Sequence, residues 1–518
     1  MRHISPFRSS KRAPDESSLG LRPAALFGLF GILGLAGTIA LLSCSSGRVA
    51  EVETFPDLDG TNQGDDSLSV GDTTTTSGDD DDDGDDDDDG DDDDDDDDDD
   101  GVTTDDVDPN TLKFDLDPPP DIANPENEID FSYIWIANSP ECTVSKIDTM
   151  TLKELGRYKT GPEGGCDPSR TSVNLDGDVA VVNREGGVSK ILALPSKCTD
   201  QNGDAMVKTS TGGADVLAWG EDDCVVWNTE LATASRPAAW TLGTPVTDPQ
   251  TGETTFKDPK LWVSAPANPE GSVDVMLLNG DTGKAEKQVR IPGVASSEYG
   301  LYGGAVDSKS DFWGIPLAVA LHDGTAYLVH VPIDDPNNYE KIPIPKNQGY
   351  GTTVDHNDRI WVGCDSAAGS GGVLQNYDPV AKAWTQVDLS SIPGSGSFWI
   401  RGMMVDANDE LWAAVVAQPL ETGPGGGILR VDTKTSKLLD YLDGNDLGTP
   451  RVAQPTGTSI DVEGKVWMVD QLASGGGVYV YEPTTSKVTF IGGLIQPYTY
   501  SDMTGFALRG VLPTGYRN

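Results

Sequence analysis

The chain is short of basic residues: 36 Lys and Arg stand against 85 Asp and Glu over 518 residues, a formal charge of −49. Nucleic-acid binding relies on clustered cations that neutralise phosphates, so this balance argues against DNA or RNA as a partner. It equally argues against attraction to an anionic lipid surface. The deficit is general, because residues 1–110 hold 32 acids and 6 bases and leave 53 and 30 for the rest. Long runs of helix formers with a 3.6-residue repeat are also missing. What replaces them is a series of short apolar stretches broken by turn residues, with 60 Gly and 34 Pro, which is an all-β pattern. Six cysteines are too few for a disulfide scaffold. No Ser/His/Asp arrangement stands out, and the Gly-rich piece Gly423–Gly427 is followed by no helix, so it is no dinucleotide fingerprint.

The N-terminus reads as an address. Arg2, Arg8, Lys11, Arg12 and Arg22 form a basic region, and Ala24 to Leu42 is an uncharged apolar run ending in Leu41-Leu42-Ser43-Cys44. Nineteen apolar residues are long enough to cross a bilayer, so an uncleaved anchor is one reading. The small residue before Cys44 resembles the lipobox of bacterial lipoproteins. That resemblance implies a signal peptide over 1–43, lipidation of Cys44 by acyl chains such as palmitate, and, with Ser45 following, sorting to the outer membrane or cell surface of a Gram-negative bacterium. From Ser45 to about Asp108 the chain is polar, and Asp79–Asp83, Asp85–Asp89 and Asp91–Asp100 are broken only by Gly84 and Gly90. Such a stretch repels itself and stays solvated, so 44–110 is expected to be a disordered tether. A diffuse sink for Ca²⁺ is its sharper reading.

Residues 111–518 carry an internal repeat. Val306-Asp307, Val354-Asp355, Val405-Asp406 and Ile460-Asp461 are each followed, six residues after the Asp, by Trp313, Trp361, Trp412 and Trp467. A weaker copy runs from Val173-Asn174 to Val179-Ala180. Polar turn residues between the two apolar pieces make each unit a hairpin. Gly303, Gly351, Gly402 and Gly457 precede, and Gly-led third strands such as Gly477-Val478 to Tyr481-Glu482 follow. Four antiparallel strands per unit is a propeller blade. Counting second strands near Trp135, Ala180, Trp262, Trp313, Trp361, Trp412 and Trp467 gives seven blades. Nothing strand-like precedes Phe131, and Gly505-Phe506-Ala507-Leu508 copies the inner-strand signature, so the C-terminal strand is expected to close the first blade. The aspartates read either as caps of the hairpin turns or as a metal ring, and the tryptophans as packing between blades or as a sugar platform.

These blades, Gly-x-x-Val-Asp through Trp and then Gly-Gly-Val to Asp-Pro, resemble the NHL, streptogramin-lyase and YncE-like propellers over roughly Phe131 to Arg509. Lyases of that group use a His and a Glu with Mg²⁺, and His322, His330 and His356 do not match that pair.

Residues at strand entries and in the loops between second and third strands line one mouth of a propeller channel. Here these are Arg170, Asn183, Arg184, Tyr302, Tyr350, Arg401, Asp470 and Gln471, a set suited to an acidic or carbohydrate ligand or simply to channel lining. An insertion over 198–224 holds Asp200, Asn202, Asp204 and Met206 at alternate positions, like the first half of an EF-hand loop. Ala205 and Thr211 break that pattern; Asp215, Glu221 or Asp222 would have to complete a Ca²⁺ shell, and a plain polar turn is the other reading. Export permits disulfides, and the pairs Cys142–Cys166 and Cys198–Cys224 are expected, with Cys364 free. The expectation is a monomeric, lipid-anchored binding or scaffold protein for a protein or glycan partner. A metal-dependent lyase or hydrolase of the streptogramin-lyase or lactonase type is the alternative.

Overall fold

The computed structural model describes residues 132–294, 300–317, 325–345, 349–364, 372–417 and 425–513. The expected signal peptide, Cys44 and the tether lie outside them. Blade 1 contains β1 (Tyr133–Asn138), β2 (Thr143–Asp148) and β3 (Glu154–Lys159). Blade 2 contains β4 (Pro168–Val173), β5 (Val179–Asn183), β6 (Val188–Ile191) and β7 (Val225–Thr229), with 198–224 inserted before its last strand. Blade 3 contains β8 (Ala238–Trp240), then a separate hairpin of β9 (Thr244–Thr247) and β10 (Thr254–Lys257), then β11 (Lys260–Ala267), β12 (Ser272–Asn279) and β13 (Ala285–Ile291). That hairpin was not anticipated from the sequence.

The next four blades are regular. They are β14 (Gly303–Val306) to β17 (Glu340–Pro343), β18 (Thr352–Val354) to β21 (Ala383–Gln386), β22 (Trp399–Val405) to β25 (Lys437–Asp443), and β26 (Pro455–Ile460) to β29 (Lys487–Gly492). Each is an antiparallel four-stranded sheet in chain order, and the seven blades close into a ring. The chain is a seven-bladed β-propeller.

Burial follows position within the blade. Inner strands have neighbours on both faces, so β26 (PTGTSI) and β27 (VWMVD) are buried at every residue. The outermost strands β13, β17, β25 and β29 are exposed or half-buried at most positions and each carries lysine, which blunts the free edge, whereas the equally outer β21 has none.

The repeated aspartates cap turns and hold indoles. One oxygen of Asp355 accepts from the backbone N–H of Asn357 (2.9 Å) and Arg359 (3.0 Å), and the other from Trp361 Nε1 (2.9 Å). Asp406 and Asp461 repeat this with Trp412 and Trp467, and Asp307 with Trp313. Where the Asp is missing, the indole reaches the turn of the next blade: Trp135 donates to Gly177 O (3.1 Å) and Trp262 to Ser310 O (2.9 Å). The tryptophans are therefore packing and bracing groups within the ring.

The C-terminal stretch does complete blade 1, but through a different segment from the one the signature picked out. Tyr498 N donates to Ala137 O (3.1 Å), Ala137 N to Thr499 Oγ1 (2.8 Å), and Trp135 N to Met503 O (2.9 Å). The closing strap is thus 497–503. Gly505 instead takes φ 80° and starts a short helix, Phe506–Gly510, that covers one end of a small axial cavity. Gly505–Leu508 matched the glycine and the apolar position of the signature but lacked its following Asp and hairpin turn.

Cys142 is bonded to Cys166 (Cα–Cα 5.4 Å), tying blade 1 to the entry of blade 2, and Cys198 to Cys224 (4.9 Å), stapling the insertion. Cys364 is buried, its sulfur 2.6 Å from the donating Val373 N–H.

Candidate functional site

One position per blade reaches the axis at the strand-entry end, and in the regular blades it is the residue before the signature glycine: Tyr302, Tyr350, Arg401 and Thr456. Bulges at this level in β4, β22 and β26 re-aim the backbone toward the axis. Blade 2 contributes Arg170, the segment before β8 contributes Arg236, and the closing strap contributes Tyr498 and Tyr500.

These side chains meet. Tyr500 Oη lies 2.6 Å from Tyr302 Oη, 2.7 Å from Tyr498 Oη and 3.2 Å from Tyr350 Oη. Tyr498 Oη lies 3.1 Å from Tyr302 and 3.2 Å from Tyr350. Around this phenol cluster stand guanidinium groups: Arg170 at 3.4 Å from the Tyr500 ring centre, Arg236 at 4.6 Å from Tyr302, Arg184 at 4.9 Å from Tyr498 and Arg401 at 5.4 Å from Tyr350. Arg170 and Arg401 are 1 % exposed and Arg236 is 2 % exposed, so the centre is interior. Arg170 donates to Ser169 O (2.8 Å) and Tyr302 O (3.0 Å), and Arg401 to Pro455 O (3.0 Å). Arg184, nearer the surface, is ion-paired with Asp167.

Burial drives the phenols of Tyr350 and Tyr500 well above the usual value, against the pull of Arg401 and Arg170 respectively. They are therefore neutral hydroxyls at physiological pH. Arg236 is buried against the face of Tyr302 and, as a guanidinium, stays charged at physiological pH. Phenol O–H and guanidinium N–H are donors, so the hub concentrates hydrogen-bond donors and positive charge at the axis.

Five of the eight residues expected at the mouth (Arg170, Arg184, Tyr302, Tyr350 and Arg401) belong to this hub. The other three take structural partners instead. Asn183 Nδ2 donates to Thr160 O (2.6 Å) and its Oδ1 accepts from Thr160 Oγ1 (2.8 Å). Asp470 accepts from the backbone N–H of Ala453, Gln454, Leu472 and Ala473 at 2.8–3.0 Å, which fixes the turn on either side of it. Gln471 uses its backbone N–H to bond Gln454 O (3.0 Å). Arg236, Tyr498 and Tyr500 were missed. Blade 3 lacks the Gly-x-x-Val-Asp signature that flags the axial position, and the strap over 497–503 contains no glycine and so no copy of it.

The 200–206 loop is folded by its own side chains. Asp200 accepts from Gly203 N (2.6 Å) and Ala205 N (2.9 Å), Asn202 from Asp204 N (3.0 Å), and Asp204 from Met206 N (2.9 Å). Ala205 takes φ 67° where the EF-hand pattern has glycine. The ammonium of Lys208 is bonded to Asp204, which holds that carboxyl below its ordinary range. Of the residues needed to complete a shell, Asp215 is bonded to Thr211 and Asp222 accepts from Ser210 N and Cys224 N. The donor set therefore fits a Ca²⁺ shell poorly, and a lysine already neutralises part of it.

Asp307, Asp311 and His330 form the one group of potential metal ligands close enough together among the described residues. Their atoms are engaged: Asp307 brackets Trp313, Asp311 accepts from Ile333 N (2.8 Å) and lies 3.0 Å from His330 Nε2, and the imidazole stacks on Trp313 at 4.1 Å. His356 Nδ1 lies 2.8 Å from Asp409 in the hairpin turns of the opposite end. Neither histidine is at the hub.

No family model and no curated sequence matches the chain. Among solved structures it is similar to a protein from Lactobacillus plantarum (10 % identity, TM-score 0.45, covering 71 % of this chain and 98 % of that one). It is also similar to apo AztD from Citrobacter koseri (13 % identity, TM-score 0.37, 71 % and 95 %) and to a protein of unknown function from Bacteroides caccae (12 %, 0.37, 60 % and 94 %). At these identities nothing of their activities carries over to this chain.

Proposed function

We propose that this chain is an exported, lipid-anchored propeller that binds an anionic group of a protein or glycan partner at its axial hub. The observation that carries this reading is the convergence of Arg170, Arg236 and Arg401 on a cluster of four phenols. Such a centre offers donors to a carboxylate, sulfate or phosphate and, among the described residues, no general base to a substrate. The streptogramin-lyase type of chemistry calls for a histidine and an acid beside the channel mouth, whereas His330 and His356 are partnered elsewhere. Anchoring rests on Ser43-Cys44 and the apolar run before it, and the Asp-rich stretch supplies the reach that holds the ring off the membrane.

Titration calorimetry of the purified mature protein with sulfate and with an oligogalacturonate tests the hub. Arg401→Lys keeps the charge but loses the planar fork, and an affinity loss of about tenfold or more is expected at a temperature where the variant's own melting curve shows it folded. Binding by neither anion, or equal binding by the variant, would remove the anion reading. Anchoring is checked separately: Cys44→Ala should move the protein from the membrane to the soluble fraction and abolish labelling by radioactive palmitate. Retention in the membrane without label would instead support the apolar run as an uncleaved span.

A further inference from the structure

Beyond the phenols, the closing strap carries a carboxyl into the ring. Asp502 follows Tyr500 by two residues and borders the small axial cavity together with Ser172, Thr353, Met404 and Leu508. Its side chain is half-buried, and part of its surface lines that cavity. The cavity measures about 40 Å³, room for a few waters and far below the ~300 Å³ of an ordinary ligand pocket.

Asp502 is the one ionisable group in the described lining of this cavity. Its carboxylate accepts from Thr504 N (3.1 Å) and Gly505 N (2.8 Å), and its carbonyl from Thr171 Oγ1 (3.0 Å). The charged groups on the surrounding elements lie to either side of it. Arg170, Arg236 and Arg401 are at the strand-entry end among the phenols. Asp307, Asp355, Asp406 and Asp461 are at the other end, bonded to their own turns and indoles. Arg509 sits on the short helix that follows, and His356, beside Gly510, is bonded to Asp409. The strap thus carries a half-buried carboxyl with no ion-pair partner among the described residues.

We propose that Asp502 makes the C-terminal strap a pH-sensitive clasp, docked more tightly when the carboxyl is protonated and more loosely when it is ionised. Burial, only partly offset by the backbone N–H groups of Thr504, Gly505, Leu508 and Ala507, raises this carboxyl to about 6. In an undocked strap it titrates near the ordinary Asp value of roughly 3.9. A raised value in the docked state means the extra stability is complete below about pH 4 and gone above about pH 6. The proposal does not depend on what the hub binds.

Hydrogen exchange of the amides over 498–512, corrected for intrinsic rates, tests it in the mature protein at pH 4.5 and pH 7. Protection of the strap should fall by about tenfold or more toward pH 7 in the wild type, up to a limit of about a hundredfold. The Val478–Val480 amides of blade 7 should change little, and Asp502→Asn should flatten the strap's response. Equal strap protection at both pH values, or the same fall in Asp502→Asn, would overturn the clasp. If that variant does not fold, carbon NMR of the Asp502 carboxyl in the wild type decides the matter, and a midpoint below about 4.5 refutes it.

Discussion

A chain ending at Gln496 is expected to lose the closed ring, with a destabilisation on the order of 10 kcal/mol. The strap and the short helical segment after it bury Tyr498, Tyr500, Met503, Leu508, Val511 and Leu512 to 9 % exposure or less. Burying a large apolar side chain stabilises by about 1.5–3 kcal/mol, so six of them rival the whole net stability of a typical domain, about 5–15 kcal/mol. Truncation also leaves the Trp135 and Ala137 N–H groups without their acceptors and turns β1 into an open inner edge. A single methyl group tests the same closure. The strap passes so close to blades 6 and 7 that a Cβ on Gly402 would stand 2.2 Å from Tyr500 Cβ, and one on Gly457 2.4 Å from Tyr500 Cα. Gly457→Ala should therefore cost about 3 kcal/mol or more, since neither backbone has room to retreat. Urea unfolding followed by Trp fluorescence measures both. Midpoints within about 0.3 M of wild type would show that the ring closes without the strap.

Asp355→Ala is expected to be the most damaging single change in the repeat away from the strap, at about 3–5 kcal/mol. The residue is 0 % exposed and receives two backbone N–H groups, the Trp361 indole and the Arg359 guanidinium at 2.8 Å. Removing the acceptor strands several donors at once, each at about 1–3 kcal/mol when buried. Asp355→Asn should cost less, about 1–2 kcal/mol, because one oxygen survives for the turn while an amide N–H₂ faces the indole. Blade 2 shows the same logic within this chain. Asn174 caps the turn through Asp176 N (3.0 Å) and Asp178 N (2.9 Å), and Ala180 stands where the other blades have Trp. Asn suffices where no indole needs the second oxygen. Calorimetric melting of the two variants gives the ranking, and an alanine variant as stable as the asparagine one would contradict the bracket.

That pairing explains why the ring was legible before any coordinates. Asp and Trp six residues apart form a local hydrogen-bonded unit, so each copy leaves its mark in a short stretch of sequence. The signature glycine marks the close approach of neighbouring inner strands, and the residue before it marks the axis, which is how Tyr302, Tyr350 and Arg401 were found. Asn183, Asp470 and Gln471 stand instead at the ends of second strands or just after them, and they bond Thr160 and the backbone of adjoining turns. Nothing in their own segments distinguished an axial donor from a turn cap.

Blade number, the strand order within each blade and the bracing role of the Asp and Trp residues were determined by the sequence, because they depend on contacts only a few residues apart. The tertiary structure alone decided which C-terminal segment closes blade 1, that Arg236, Tyr498 and Tyr500 join the hub, and that Asp502 is carried into the axial cavity. Those outcomes depend on segments some 130 to 370 residues apart meeting at one axis. Local spacing cannot encode such a meeting, since the energy of placing Tyr500 against Arg170 exists only once the ring has closed.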